Sequence, residues 1–151
     1  MKIKLKVRLL CVILLFISCA ARAELGGDAT TIEADRAHMN AVRRALPSAQ
    51  QYTVHEIQTS AGTVVREYLS AGGKVFAVAW NGPQMPDLRQ LFGNYFVTFQ
   101  DAAKARHTGH GPLHVEQPEL VVQSGGHMRS FFGRAYLPLL VPNNVLIDEI
   151  K

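Results

Sequence analysis

Four of the six histidines fall in one short stretch of the C-terminal half of the chain. His107, His110 and His114 follow the spacing H-x2-H-x3-H, and His127 comes soon after them. Neutral imidazoles bind zinc and copper, and three of them leave a coordination position for the water that metal-assisted hydrolysis requires. Two glycines and a proline interrupt the segment, which predicts a loop whose imidazole rings need not share a face. These histidines are therefore candidates for weak metal affinity only, and no cofactor is predicted.

A second candidate site is a serine and a histidine on either side of a Gly-Gly pair. Ser124 and His127 are predicted to face each other across a two-residue hairpin turn, with Glu116 or Glu119 close by in sequence. Nucleophilic catalysis also needs an oxyanion hole, and the chain has no G-x-S-x-G element to build one. A cross-strand hydrogen bond explains the pair without catalysis. We therefore predict a non-enzymatic protein, and the alternative is a metal-dependent or serine hydrolase that uses the His107–His127 region.

The third candidate is an apolar cluster at the end of a predicted core strand. Trp80, Pro83 and Met85, with Pro86 beside them, combine the lone tryptophan with a proline-rich loop. Such a surface suits recognition of a peptide, a glycan or another envelope protein. The alternative is that Trp80 caps the core and the prolines only stiffen the turn. The open edges of an antiparallel sheet offer a second route, through strand addition by a partner.

The elements that must position these residues begin with a helix. Thr30, with Glu33 three residues later, indicates a capping box and predicts a helix that runs to about Leu46, before Pro47. Asp35 falls inside the apolar stripe of this helix. The stripe consists of Ile32, Met39, Val42 and Leu46.

Three extended segments follow the first helix. Tyr52–Thr59, Thr63–Ser70 and Lys74–Trp80 are rich in β-branched and aromatic residues, and short glycine-containing turns separate them. Turns of this length join antiparallel neighbours, so we predict a three-stranded meander. The third segment is apolar on both faces, which predicts a helix over one face and a close approach of another part of the chain to the other.

The strongest helical pattern opens at Asp87 and is predicted to end near Gly109. Its aromatic stripe is expected to pack on the meander and to bury Phe76 and Val78 together. The stripe consists of Leu88, Leu91, Phe92, Tyr95, Phe96 and Phe99.

The C-terminal part is predicted to return to strands. Glu119–Ser124 and His127–Leu137 flank Gly125-Gly126, which indicates a hairpin, and Val145–Ile150 is a candidate edge strand. The predicted fold is α+β: an antiparallel β-sheet, made of the three-stranded meander plus a C-terminal hairpin, packed with two α-helices.

The first 23 residues have the features of a secretory signal peptide. Basic residues precede the apolar run Leu9–Ile17, and Ala21-Arg22-Ala23 is a small-x-small cleavage site. Cleavage between Ala23 and Glu24 would leave residues 24–151 as one domain, periplasmic or secreted, with membrane contact only through the signal peptide. The alternative is a lipoprotein anchored through Cys19.

Removal of this segment changes the charge balance. The chain has 16 basic and 12 acidic residues, but five basic and no acidic residues precede Glu24. Residues 24–151 therefore carry 11 basic and 12 acidic side chains, which removes the support for nucleic acid as a partner. Both cysteines, Cys11 and Cys19, also precede Glu24, so a processed chain forms no disulfide.

Several stretches of the chain resemble a known family. They are Leu25–Asp28, Tyr52–Ile57, Gly62–Tyr68, Val75–Pro83, Pro86–Leu91 and Ser124–Arg129. They are similar to segments of an exported Gram-negative bacterial family known as domain-of-unknown-function group 2844, and the resemblance spans nearly all of residues 24–151. It implies export and a single domain, and it implies no activity, cofactor or catalytic residue.

Overall fold

Seven strands in the described part of the chain form one antiparallel sheet. The computed structural model describes residues 24–46, 51–105 and 111–151. The strands are β1 (Val42–Ala45), β2 (Tyr52–Gln58), β3 (Val64–Ser70), β4 (Val75–Gly82), β5 (Leu113–Glu116), β6 (Val121–His127) and β7 (Ser130–Tyr136). The helices are α1 (Ala29–His38), α2 (Leu88–Phe92) and α3 (Phe96–Ala105). The strand order is β1-β2-β3-β4-β7-β6-β5. This arrangement confirms the predicted α+β class with an antiparallel sheet.

The first helix is shorter than predicted, and a strand follows it. The Asp28 side chain accepts a hydrogen bond from the Thr30 amide at 2.9 Å, so Asp28 and not Thr30 is the N-cap. The predicted extension to Leu46 is wrong, because the chain reverses at Asn40, where φ is +48°. β1 then pairs with β2, an interaction that outweighs the local helical pattern. Val42 is therefore exposed on β1 and does not belong to a helical stripe.

A β-bulge in β4 changes which side chains share a face. The three predicted extended segments form β2, β3 and β4, each antiparallel to the next. Between Tyr68 and Leu69 of β3 the partner strand advances by two residues instead of one, and Phe76 is the extra residue. Phe76 and Val78 therefore belong to the cores on opposite sides of the sheet. The prediction that one helix buries both is wrong.

The helices cover one face of the sheet. The Phe92 ring is fully buried, lies edge-on to Phe99 at a centroid distance of 5.1 Å, and is 6.0 Å from the Trp80 ring. The predicted single helix is interrupted by a 3-10 turn at Gly93–Tyr95, whose glycine has a φ of +50°. The aromatic stripe nevertheless stays on the core side. Its predicted end near Gly109 lies outside the described residues.

The last residues of the chain, 145–151, which we call the C-terminal segment, cover half of the other face. Ile150 is fully buried in a second core with Tyr68 and Phe76. Val145–Ile150 was predicted as an edge strand, which is wrong, because the segment contains a 3-10 helix at Ile147–Glu149. Its apolar side chains Val145, Ile147 and Ile150 pack onto the sheet face, which removes them from water.

Two arginines of the sheet bind the backbone of this C-terminal segment. The Arg66 guanidinium donates to the Lys151 carbonyl at 2.7 Å, and the Arg134 guanidinium donates to the Ile147 carbonyl at 2.7 Å. These carbonyls have no partner strand, so the arginines supply the hydrogen bonds that strand pairing would otherwise provide. The C-terminal segment is thereby fixed on the sheet.

The C-terminal hairpin turns at Met128-Arg129, and the predicted turn at Gly125-Gly126 is wrong. Arg129 has a φ of +65° and supplies the left-handed residue of the turn. Both glycines lie in β6. The Phe132 ring lies 3.0 Å from the position that a Cβ of Gly125 would occupy, and a Cβ at Gly126 would clash with the backbone of β7. The close approach of the β7 backbone and a φ of +122° require glycine at position 126, and Gly125 leaves room for the Phe132 ring.

Candidate functional site

The histidines form no metal centre within the described part of the chain. His107 and His110 lie outside it. His114 is on β5, half exposed, with its Nε2 atom 3.5 Å from the Glu116 carboxylate. Across residues 24–46, 51–105 and 111–151, no three His, Cys, Asp or Glu side chains come close enough together to hold a metal ion. The predicted weak metal affinity stays a prediction.

Ser124 and His127 do not face each other. Ser124 pairs with Gly133 and His127 with Ser130, because the hairpin turns later than predicted. The Ser124 hydroxyl lies 3.5 Å from the Phe132 carbonyl oxygen, and the His127 ring lies 3.3 Å from the carbonyl of the next residue. The predicted cross-strand contact between the serine and the histidine is therefore wrong.

The residues of the predicted recognition patch are divided between two depressions: Trp80 and Pro83 line one, and Met85 borders the other. Trp80 is only 2% exposed, and its indole packs in the helix-side core against the backbone of Gly133. Pro83 lines a large groove on the opposite face of the sheet. Met85 is 41% exposed and borders a depression of about 200 Å³, together with Pro86. The three residues do not form one continuous surface.

The large groove lies over the half of the second face that the C-terminal segment leaves uncovered. Its volume is about 1110 Å³, and it extends from β3 across β4, β7 and β6 to β5. We call it the sheet groove. Its lining is mostly apolar and includes Val64, Ala79, Phe132, Pro83 and Leu113. A groove of this size and character accommodates a small molecule or a segment of a polymer.

A row of aligned side chains crosses all seven strands along one side of the sheet groove. Residues directly opposite each other in a sheet share a face, so the row is read from the strand register. Its members, in order, are Arg44, Glu56, Arg66, Ala79, Arg134, Gln123 and His114. Glu56 is the one carboxylate in this row, and it binds Arg44 at 3.1 Å and Arg66 at 3.0 Å. The row therefore presents mainly basic and amide groups.

The neighbouring row contains an exposed aromatic ring. Phe132 of β7 pairs with Asn81 of β4, which pairs with Val64 of β3. The Phe132 side chain is 52% exposed, and its ring packs over Gly125. The ring is therefore held on a rigid strand while much of its surface is open to the groove.

A pair of buried carboxyl groups lies on the other, helix-covered side of the sheet. Asp35 of α1 and Glu67 of β3 are both buried, with Gln90 beside Asp35. Burial raises the pKa of Asp35 to about 6. Burial and the adjacent Asp35 carboxyl raise the pKa of Glu67 well above its usual range. The buried pair therefore binds protons more readily than two free carboxyl groups do. Because both groups are buried, we assign the pair to the fold and not to a reaction site.

His55 and Arg43 border the buried carboxyl pair. His55 is opposite Glu67 in the sheet, and the Arg43 guanidinium donates to His55 Nδ1 at 3.1 Å. Burial, and then the positive charge of Arg43, lower the pKa of His55. The imidazole is therefore neutral at physiological pH, with Nδ1 as the acceptor.

The sequence contained signals for part of this arrangement. Asp35 interrupts an apolar stripe, and Glu67 alternates with Val65 and Leu69 at core-facing positions of β3. Glu67 was not among the sequence candidates, although the period of two places it on the core face of the strand. Phe132, by contrast, became a groove residue only through the strand register and the position of the hairpin turn.

Fold and groove together define a small α+β domain with one half-open sheet face. A family model described as "Protein of unknown function (DUF2844)" matches residues 21–150, so the chain belongs to this family, and the resemblance noted in the sequence is confirmed. No curated protein and no solved structure matches the chain. Within the described residues, no helix is long and apolar enough to span a membrane.

Proposed function

We propose that this protein is an exported, non-enzymatic binding module that holds its ligand in the sheet groove. Export is supported by the signal-peptide features of residues 1–23 and periplasmic or secreted localisation follows from them. A binding role is supported by the groove itself, which combines a mostly apolar floor with fixed polar side chains. The partners that fit such a site are a small molecule, or a peptide, glycan or envelope protein that presents a narrow segment.

The observation that carries this proposal is the exposed Phe132 ring on a rigid strand. Close packing over Gly125 and pairing of β7 on both sides fix the ring, so little side-chain entropy remains to be lost on binding. Aromatic side chains with this exposure contribute strongly to recognition when a partner covers them. Ligand contact would remove water from a surface that the fold alone leaves uncovered.

The proposal is tested by mapping ligand contacts with amide-detected NMR. Pools of envelope lipids, peptides and glycans are added to isotope-labelled protein, and we expect shift changes to cluster at Val64, Asn81, Ser130 and Phe132. Phe132→Ala should abolish these changes. Val97→Ala is the matched control, because Val97 is 62% exposed on α3, on the other side of the sheet. Shift changes confined to a sheet edge, or unaffected by Phe132→Ala, would contradict the proposal.

The alternative of a hydrolase requires a convergent set of catalytic groups. In the described part of the chain Ser124 and His127 diverge, and His114 lies beside Glu116 and not in a cluster of three ligands. A hydrolase would therefore need His107 and His110 as its main groups. Loss of a measured hydrolytic activity on His110→Ala would favour that alternative over the binding module.

A further inference from the structure

The sheet groove is lined by basic side chains, of which some are paired within the fold and one is not. Of its described lining residues, four are Arg or Lys, and none is Asp or Glu. They are Arg66, Arg129, Arg134 and Lys151. Charge of one sign around a concave, mostly apolar surface attracts ligands of the opposite sign. The groove is therefore complementary to an anion that also has an apolar part.

Two of these arginines already have partners within the fold. Arg66 binds Glu56 and the Lys151 carbonyl, and Arg134 binds Gln123 and the Ile147 carbonyl. Arg134 also forms an ion pair with Asp148 at 3.7 Å. Their guanidinium groups fix the C-terminal segment, and substituting them would disturb the groove wall. A carboxylate balances the charge of each of them, so they are not the groups best placed to bind an anionic ligand.

Arg129 is different, because it is exposed and has no ion-pair partner among the described residues. It lies in the hairpin turn, next to the groove residue Ser130 and three positions before Phe132. Three residues of extended chain span about 10 Å. The long Arg129 side chain, which itself lines the groove, therefore reaches the end of the groove beside the Phe132 ring. A charged head group bound to Arg129 would continue into an apolar body over Phe132.

We propose that the sheet groove binds a single-chain amphipathic carboxylate, a fatty acid, with the carboxylate at Arg129 and the hydrocarbon chain over Phe132. This inference rests on the proposed binding function and names the ligand class of the same groove. The guanidinium fork matches a carboxylate in geometry and charge. The hydrocarbon chain would cover Phe132 and Val64, which the C-terminal segment leaves open.

The floor of the groove favours a hydrocarbon chain over a peptide. β3, β4 and β7 are each paired on both sides, so the backbone beneath most of the groove offers no free hydrogen-bonding groups to a peptide. A peptide on this mostly apolar floor would leave its own backbone polar groups without partners, which is costly. An acyl chain has no such groups. Bilayer docking is disfavoured by shape, because the C-terminal segment forms a wall beside the floor.

The test is calorimetric titration of the protein, as purified from expressing cells, at pH 7.4. The probes are dodecanoate below its micelle concentration, dodecyl maltoside with the same chain and a neutral head, and acetate as the head group alone. We expect one dodecanoate per chain, bound about tenfold or more tightly than dodecyl maltoside, and no measurable binding of acetate. Hexaglutamate and phosphatidylglycerol vesicles test the peptide and the bilayer.

Two groove variants separate the anion site from the groove. Arg129→Asn removes the charge and keeps a residue that tolerates positive φ, so it should weaken dodecanoate about tenfold and leave dodecyl maltoside unchanged. Arg129→Lys should restore most of the affinity. Lys74→Gln is the control, because it removes an exposed charge outside the groove. Phe132→Ala should weaken both dodecyl ligands.

The outcomes distinguish this inference from the proposed function. Equal binding of both dodecyl ligands, insensitive to Arg129→Asn but weakened by Phe132→Ala, would overturn the carboxylate site and retain the groove as a binding site. Dodecyl binding that Phe132→Ala does not weaken would overturn both. Tighter, Arg129-dependent binding of hexaglutamate or of vesicles would overturn the fatty acid in favour of that partner.

Discussion

The buried carboxyl pair predicts that the protein loses stability as the pH rises towards neutrality. The pKa of Asp35 is about 6 in the folded protein, compared with 3.8 for a free aspartate side chain, which represents the unfolded chain. Proton binding therefore favours the folded state; this contribution is complete below pH 3.8 and is lost as the pH rises through about 6. A difference of about two pKa units corresponds to about 3 kcal/mol in the free energy of unfolding. Glu67, whose pKa is also raised by burial and by the adjacent Asp35 carboxyl, acts in the same direction.

Asp35→Asn should remove the contribution of Asp35 with little change of shape. The amide is neutral at every pH, so the variant lacks the cost of ionising a buried carboxyl. A constant difference between the two proteins is expected from altered polar contacts with the neighbouring Glu67 and Gln90 side chains. The informative quantity is the change in that difference between pH 4 and pH 7, which should favour the variant by about 3 kcal/mol. His55 titrates in both proteins and largely cancels in the comparison.

The assay is urea unfolding at several pH values between 4 and 7, followed by the fluorescence of the buried Trp80. The linear dependence of unfolding free energy on urea concentration gives the stability at each pH. Asp101→Asn is the matched control, because its carboxylate is 71% exposed on α3, and its pH profile should parallel that of the unaltered protein. Parallel profiles for Asp35→Asn as well would refute the assignment of a raised pKa to the buried pair.

Three further predictions concern the core, processing and metal affinity. Phe92→Ala should lower the free energy of unfolding by about 3–5 kcal/mol, because the Phe92 ring is fully buried. Phe96→Ala should lower it clearly less, because the Phe96 ring is only half buried. Equal losses for the two variants in urea titrations would contradict this packing. Mass spectrometry of the exported protein should give an N-terminus at Glu24, and an acylated Cys19 would show a lipoprotein instead. Zinc titration should give only weak binding that is lost as the pH falls through about 6.5, whereas a nanomolar site abolished by His110→Ala would indicate a metal centre.

Local sequence patterns predicted the types of most elements but not their partners. The alternation of β-branched residues located β2, β3 and β4, and the aromatic stripe located α2 and α3. The prediction that the first helix reaches Leu46 failed because β1 is short and is stabilised by pairing with β2. A local sequence pattern contains no information about that pairing. The prediction that Phe76 and Val78 share a face failed for a similar reason. The bulge adds one residue to β4, and one additional residue moves every later side chain of the strand to the other face.

The hairpin shows why the candidate site could be predicted only in part. A Gly-Gly pair between two strands is a strong turn signal, yet here both glycines lie in β6, where Gly126 meets the β7 backbone and Gly125 meets the Phe132 ring. The turn falls instead on Arg129, a residue type that seldom adopts positive φ. This shift separates Ser124 from His127 and places Phe132 in the groove. The groove therefore depends on a register that residue types alone do not specify.

The division of the second sheet face explains why the groove is both open and basic. On the covered half, Tyr68 and Phe76 provide the large apolar surface against which Ile150 is buried. The C-terminal segment that makes this contact lies on the sheet without strand pairing, so its carbonyls need donors from the sheet beneath. Arg66 and Arg134 supply those donors at the boundary of the covered half. The hydrogen bonds that hold the cover in place thus put two guanidinium groups on the wall of the groove, each paired with a carboxylate. Arg129 adds a third guanidinium, which is left for an anionic ligand.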